Sequence, residues 1–338
     1  MSEPAIPAHV LPVAARAPGK CILFGEHSVV HGRPELLLAI DLYTQAAVRA
    51  GPSARLNGDA TAAKRHAYLG RALELFPLTP PSPLEWSVVS RLPKGAGLGS
   101  SAAFSASVAA ALLAVRGGAT RAELAEASFR TERGAQGVGS PGDTSASVAG
   151  GLVALNGGAG EVLWKLGDAE HQWAVRRVRD PGWTWLVAYS GVPRNTAETV
   201  RSVGVRLSAK GGPALLDRFE EVALAGIEAV AREDRAEVGR RLQENQDLLR
   251  EVGVSHPRLE ALLDAVAPVV AGAKLTGAGA GGSIVALPTP GREIEALRRA
   301  SKAGGLAFIV RAARRGAEVV EASEGPTKGE DAVFDGES

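Results

Sequence analysis

Apolar positions recur along the chain with two periods, and the change from one to the other outlines its elements. Residues 21–24 (CILF) form a short apolar run suited to a buried strand, ended by Gly25. Residues 36–40 read as a second strand that continues through 41–50, and 86–89 as another. Between 66 and 76 the period lengthens to that of a helix, through Ala67, Leu69, Leu73 and Leu75, until the proline-rich segment 77–83 stops it. Thr120 and Glu123 match a capping box ahead of a helix that carries Leu124, Ala127 and Phe129. Residues 151–156 and 161–166 alternate like paired strands around Gly157 and Gly158, and 183–190 is a further apolar strand. Beyond it the texture changes. Residues 213–253 are charged and helical in period, with Phe219, Val222, Ile227, Val230, Val238 and Leu242 on the inner face. A helix over 258–266, a strand, glycine loop and strand over 273–287, a helix over 293–303 and a strand over 306–312 complete the pattern.

Periodicity alone predicts a mixed α/β chain in two units, 15–185 and 186–315. A flexible lead-in over 1–14 carries Pro4, Pro7 and Pro12, and 316–338 is expected to be a disordered tail, acidic and poor in apolar residues. The length of 338 residues suits two cores of ordinary size. With 38 basic and 37 acidic residues the net charge is +1, and aromatics make up 4%, which argues against a nucleic-acid or membrane-surface partner. Anion binding must therefore be local. The single cysteine, Cys21, excludes an internal disulfide, and no N-terminal segment has the layout of a secretory signal, so the expectation is a cytoplasmic protein. The apolar run 102–115 is interrupted by Ser105 and Ser107 and falls short of the ~20 residues that span a bilayer.

The candidate chemistry centres on 94–116. Lys94 leads into alternating Gly95, Ala96, Gly97, Leu98 and Gly99, followed by Ser100, Ser101 and Ala102 and an unbroken run of small and apolar residues. Glycine permits positive φ and close approach to a ligand, and the first turn of the helix that follows offers unpaired N–H groups and a positive dipole end. This is a phosphate-binding loop, but neither a Walker loop nor a G-x-G-x-x-G dinucleotide fingerprint. Glu26, His27 and Ser28 gather at a strand end beside Lys20, and a second Gly- and Ser-rich loop, 137–151, contains a single acid, Asp143. On local evidence alone Asp143 reads more readily as a turn or cap residue than as a functional one.

Three glycine loops stand in order: APGK at 17–20, PKGAGLGSSAA at 93–103 and KLTGAGAGGS at 274–283. In that order and spacing they resemble the GHMP kinase superfamily. Within it GKCILFGEHSVVHG (19–32), ERGAQGVGSPGD (132–143), SGVPRNTAETV (190–200) and ENQDLLREVGVSHPRLEAL (244–262) are most similar to the mevalonate kinase family. The resemblance covers residues 15–312 and implies a two-domain α+β fold, with an N-terminal half like ribosomal protein S5 domain 2 that carries ATP binding and catalysis, and a ferredoxin-like C-terminal half. It implies ATP and Mg²⁺ as cofactors, mevalonate as the phosphoryl acceptor and a homodimer as a candidate assembly. By position, Asp143 matches the family's catalytic acid and Lys20 the lysine near it; Ser101 and Glu132 match the Mg²⁺ ligands; residues 94–102 match the nucleotide loop. Glu26, His27, Arg194 and Thr196 match the substrate pocket. The chain departs from the family pattern at Pro141, at Ala280, where glycine is usual, and at Glu35, where a small apolar residue is more familiar. The alternatives are a kinase for a related substrate such as phosphomevalonate, or a catalytically silent relative; retention of Lys20, Ser101, Glu132 and Asp143 argues against the second.

Overall fold

The computed structural model describes residues 9–78, 83–137, 139–167, 171–193, 196–209 and 211–321. The elements run β1 (Val13–Phe24), β2 (Glu35–Ala50), β3 (Arg55–Leu56), α1 (Ala60–Arg65), α2 (Ala67–Leu75), β4 (Leu84–Ser90), α3 (Ser100–Val115), α4 (Arg121–Gln136) and α5 (Gly142–Ala149). They continue with β5 (Leu152–Leu155), β6 (Val162–Gly167), β7 (Gln172–Val178), β8 (Thr184–Tyr189), α6 (Thr196–Ser208), α7 (Gly212–Ala231), α8 (Arg235–Glu251) and α9 (Pro257–Val266). Strands β9 (Val270–Thr276) and β10 (Ser283–Pro288), helix α10 (Glu293–Lys302), and strands β11 (Leu306–Arg311) and β12 (Glu318–Val320) complete the described chain.

Two sheets organise these elements. In the first, the order β12-β1-β2-β5-β7-β6 is extended by β4, which pairs with the far half of β2, and by β3 beside β4. The second is antiparallel, in the order β11-β8-β10-β9, with α8, α9 and α10 packed on it. Helices α3 and α5 pack on β1 and β2, and α4 packs against both. The first six residues of β2 are all buried, because α3, α5, α7 and β11 also close on that strand; its second half alternates buried and exposed as a one-sided strand should. Gly226 lets α7 approach β1, since a Cβ there would lie 2.5 Å from the Phe24 ring.

Several expectations are corrected. Residues 13 and 14 belong to β1 rather than to a loose lead-in, and the chain stays structured past Gly316. Val319 and Val320 pair with Ala15 and Ala14 along the open edge of β1, and Glu318 accepts from Arg16 at 2.6 Å. Residues 1–8 and 322–338 lie outside the described residues. Strands β5 and β6 are not partners: β7 lies between them and pairs with both. The helical stretch after residue 212 is two helices, turned at Glu233 (φ 60°) and restarted by Asp234, whose carboxylate accepts from Glu237 N at 3.0 Å. The loop expected over 137–151 contains α5, whose composition (GDTSASVA) has no periodic face because it is buried all round by small residues. The same holds for α3, and no helix among the described residues is long and apolar enough to cross a membrane.

Candidate active site

Lys20 is delivered by an irregularity in β1. The pairing register with β2 shifts between Pro18 and Gly19, and such bulges re-aim the side chains that follow. The lysine is wholly buried, and its Nζ lies 2.9 Å from Asp143 Oδ2, whose side chain is 30% exposed. Asp143 comes from the first turn of α5, 123 positions away along the chain, where a carboxylate also meets the positive end of the helix dipole. The two residues therefore form an ion pair with one end closed and the other open.

The glycine loop lies against this pair. Gly95, Gly97 and Gly99 have φ of 71°, 80° and 75°, all left-handed, while Ala96 and Leu98 between them are buried. Gly99 is the N-cap of α3, and a Cβ there would lie 2.7 Å from Lys20 Cγ and 3.3 Å from Lys20 N. Lys20 N donates to Leu98 O at 2.8 Å, and Ser283 Oγ donates to Ala96 O at 2.7 Å, so all three glycine motifs are laced together. Gly99→Ala is expected to cost about 1–2 kcal/mol from the left-handed backbone alone and to displace Lys20. Thermal denaturation and the KM for ATP should both worsen; no change in either would remove the steric role assigned to this glycine.

Ser101, on the first turn of α3, donates to Glu132 Oε1 at 2.7 Å, and Gln136 Nε2 reaches the same oxygen at 3.2 Å and Tyr68 Oη at 2.8 Å. Burial, and next the charge of Asp143, push the Glu132 carboxyl up to about 7. A hydroxyl and a carboxylate are oxygen donors of the kind a Mg²⁺ requires, so the residues present fit that ion. Among the described residues no cluster of three or more His, Cys, Asp or Glu is positioned to hold a metal.

Glu26 and His27 tie the first motif to the third. Glu26 forms an ion pair with Lys274, and both side chains are fully buried; Lys274 also donates to Leu275 O at 2.7 Å. Burial raises the Glu26 carboxyl and lowers the Lys274 amine, while their mutual attraction opposes both shifts. His27 adopts φ 64°, and its Nε2 lies 3.0 Å from Ala278 O. Thr276 Oγ1 accepts from Ile22 N at 2.7 Å beside them. Ala280 keeps the left-handed conformation, φ 58°, that explains why glycine is usual there, and its N–H donates to Val254 O at 2.6 Å. Arg194 lies outside the described residues, and Thr196 opens α6. Lys94 is exposed at the entrance to the loop. Sequence reasoning missed Gln136, which the i, i+4 spacing from Glu132 on α4 could have revealed, Thr276, which sits inside the third glycine motif, and Tyr68, which carried no local signal.

A model of the GHMP kinases N terminal domain matches residues 62–151, and one of the GHMP kinases C terminal domain matches 227–305. The chain is similar to the mevalonate kinase of Pyrococcus abyssi, 30% identical over 92% of this chain and 99% of that protein. The chain belongs to the mevalonate kinase family of GHMP kinases. A mevalonate kinase of Pyrococcus horikoshii is 31% identical over 92% of this chain and 98% of its own. In fold, this family member resembles the L. major mevalonate kinase solved in complex with R-mevalonate, with a TM-score of 0.75 at 23% identity, over 94% of this chain and 100% of that one. The two-domain GHMP kinase fold, expected from the three glycine loops, is thus the fold of this mevalonate kinase family member.

Proposed function

We propose that the chain transfers the terminal phosphoryl group of ATP to the 5-hydroxyl of mevalonate, with Asp143 accepting the hydroxyl proton as the oxygen attacks. The supporting observation is the Lys20–Asp143 pair, 2.9 Å apart, lying against the N-terminus of α3 and its glycine loop. Phosphoryl transfer passes through a loose transition state, so the protein's share of the work is alignment and charge stabilisation. Residues 94–102 hold the triphosphate through backbone N–H groups and the helix dipole. Lys20, whose amine is already fixed by Asp143 and by packing on Gly99, offsets negative charge on the moving phosphoryl group. Ser101 and Glu132 would hold Mg²⁺, which would neutralise phosphate charge. The new P–O bond forms as the bond to the leaving ADP breaks, and the hydroxyl proton ends on the Asp143 carboxylate.

Mevalonate carries a carboxylate, and Arg194 is the bidentate partner suggested for it by family position. Arg194→Lys is expected to raise the KM for mevalonate about tenfold with little change in kcat, the effect of losing one charge-assisted hydrogen bond. An unchanged KM removes Arg194 from the pocket. The reaction itself is tested by ADP release with mevalonate or phosphomevalonate as acceptor, followed by NMR of the product. Turnover with mevalonate and phosphorus coupled to the C5 protons is the expected result; turnover with phosphomevalonate alone overturns the substrate assignment.

A further inference from the structure

Glu35 is a buried carboxyl with no hydrogen-bond partner in the middle of the reaction centre. Its side chain is 2% exposed, and Oε2 is sealed from solvent without a donor or acceptor. It packs beneath the first turn of α5: a Cβ at Gly142, the residue before Asp143, would lie 2.3 Å from Glu35 Oε2. Gly25 brings the chain ahead of Glu26 close to the Glu35 backbone, since a Cβ there would lie 2.7 Å from Glu35 Cα. Glu35 thus stands between two ion pairs, Lys20 with Asp143 and Lys274 with Glu26.

The charges around it already balance. The groups facing Glu35 are Lys20 from β1, Glu26 from the turn after β1, Asp143 from α5 and Lys274 from β9, two cations and two anions. A fifth charge would be an unpaired buried anion, which is costly enough that such groups neutralise instead. We propose that Glu35 is a positioning residue that works as an uncharged carboxylic acid, filling the space under the first turn of α5 so that Asp143 stays against Lys20. Ionisation of Glu35 sets a second carboxylate beside Asp143, competes for Lys20 and draws the pair out of register. Burial first, and the charge of Asp143 next, raise the Glu35 carboxyl well above its ordinary range, in the same direction. The inference rests on the roles given above to Lys20 and Asp143.

Three readings test it, and the first needs no turnover. The infrared difference spectrum of wild type against Glu35→Gln at neutral pH should contain the carbonyl band of a protonated carboxyl group, present only in the wild type. In kinetics, the alkaline limb of kcat/KM should shift to higher pH by about one unit or more in Glu35→Gln, the size of a tenfold change in proton affinity. Glu35→Leu, also uncharged, should shift that limb in the same way, whereas Glu35→Asp, which still ionises, should keep an alkaline limb. In stability, a carboxyl raised on folding favours the folded state at low pH, and that contribution is lost as pH rises through its folded pKa. Wild type should therefore lose stability relative to Glu35→Gln as pH increases. Absence of the protonated-carboxyl band, or a shift of the acid limb with the alkaline limb fixed, would mean that Glu35 is charged in the working enzyme and would overturn the proposal. Failure of the Asp143 assignment would appear elsewhere, as turnover in Asp143→Asn, and would leave the infrared band in place.

Discussion

Asp143→Asn lowers kcat by about 10²- to 10⁴-fold, the range supplied by one positioned general base, while the Kd for ATP stays close to wild type. The asparagine is nearly isosteric and keeps an oxygen facing the Lys20 ammonium, 2.9 Å from it in the wild-type ion pair, so the fold should survive. In the proposed mechanism, what the substitution removes is the ability to take a proton from the attacking hydroxyl. ATP binding should be little affected, because in the proposed arrangement the triphosphate would be held by the loop 94–102 and the first turn of α3, and the substitution leaves that loop and its packing on Lys20 in place. Steady-state turnover and equilibrium nucleotide binding, measured on the same preparation, separate the two effects. Turnover within tenfold of wild type would show that another group accepts the proton.

The largest effect on stability is expected at Lys274. Its ammonium pairs with Glu26, donates to Leu275 O and has no exposure to solvent. Lys274→Met leaves a buried carboxyl, one of whose oxygens already lacks a partner, without the cation it is paired with. Removing one member of such a pair costs about 3–5 kcal/mol, whereas replacing both by uncharged groups costs far less. Denaturant unfolding should therefore find Lys274→Met strongly destabilised and the double variant Glu26→Gln with Lys274→Met substantially recovered. A single variant within about 1 kcal/mol of wild type would mean that the pair does not hold the first and third motifs together.

These two sites differ in how readily the chain discloses them. The glycine alternation at 95–99 and the capping box at Thr120 and Glu123 are local features, and the structure contains both; Thr120 accepts from Glu123 N at 3.2 Å and Glu123 accepts from Thr120 N at 2.7 Å. Helix α5 was hidden because its residues other than Asp143 are small and buried, so no hydrophobic stripe marks it. Strand β7 was missed because Gln172, Arg176 and Arg177 dilute its apolar face, and the neighbouring strands were then joined to each other. The Glu26–Lys274 pair spans 248 positions, and nothing local to either residue announces the other. Glu35 was visible as an odd residue after Pro34, yet only its burial between two ion pairs gives that oddity a chemical meaning.

A crystal structure with mevalonate, Mg²⁺ and a non-hydrolysable ATP analogue tests the assignment of the reaction centre most directly. The expected result has the terminal phosphate over the N-terminus of α3, the Lys20 amine beside it, and the 5-hydroxyl within hydrogen-bond distance of an Asp143 carboxylate oxygen, in line with the bond that breaks. A hydroxyl bound away from Asp143, or a nucleotide whose terminal phosphate leaves the glycine loop untouched, would contradict it.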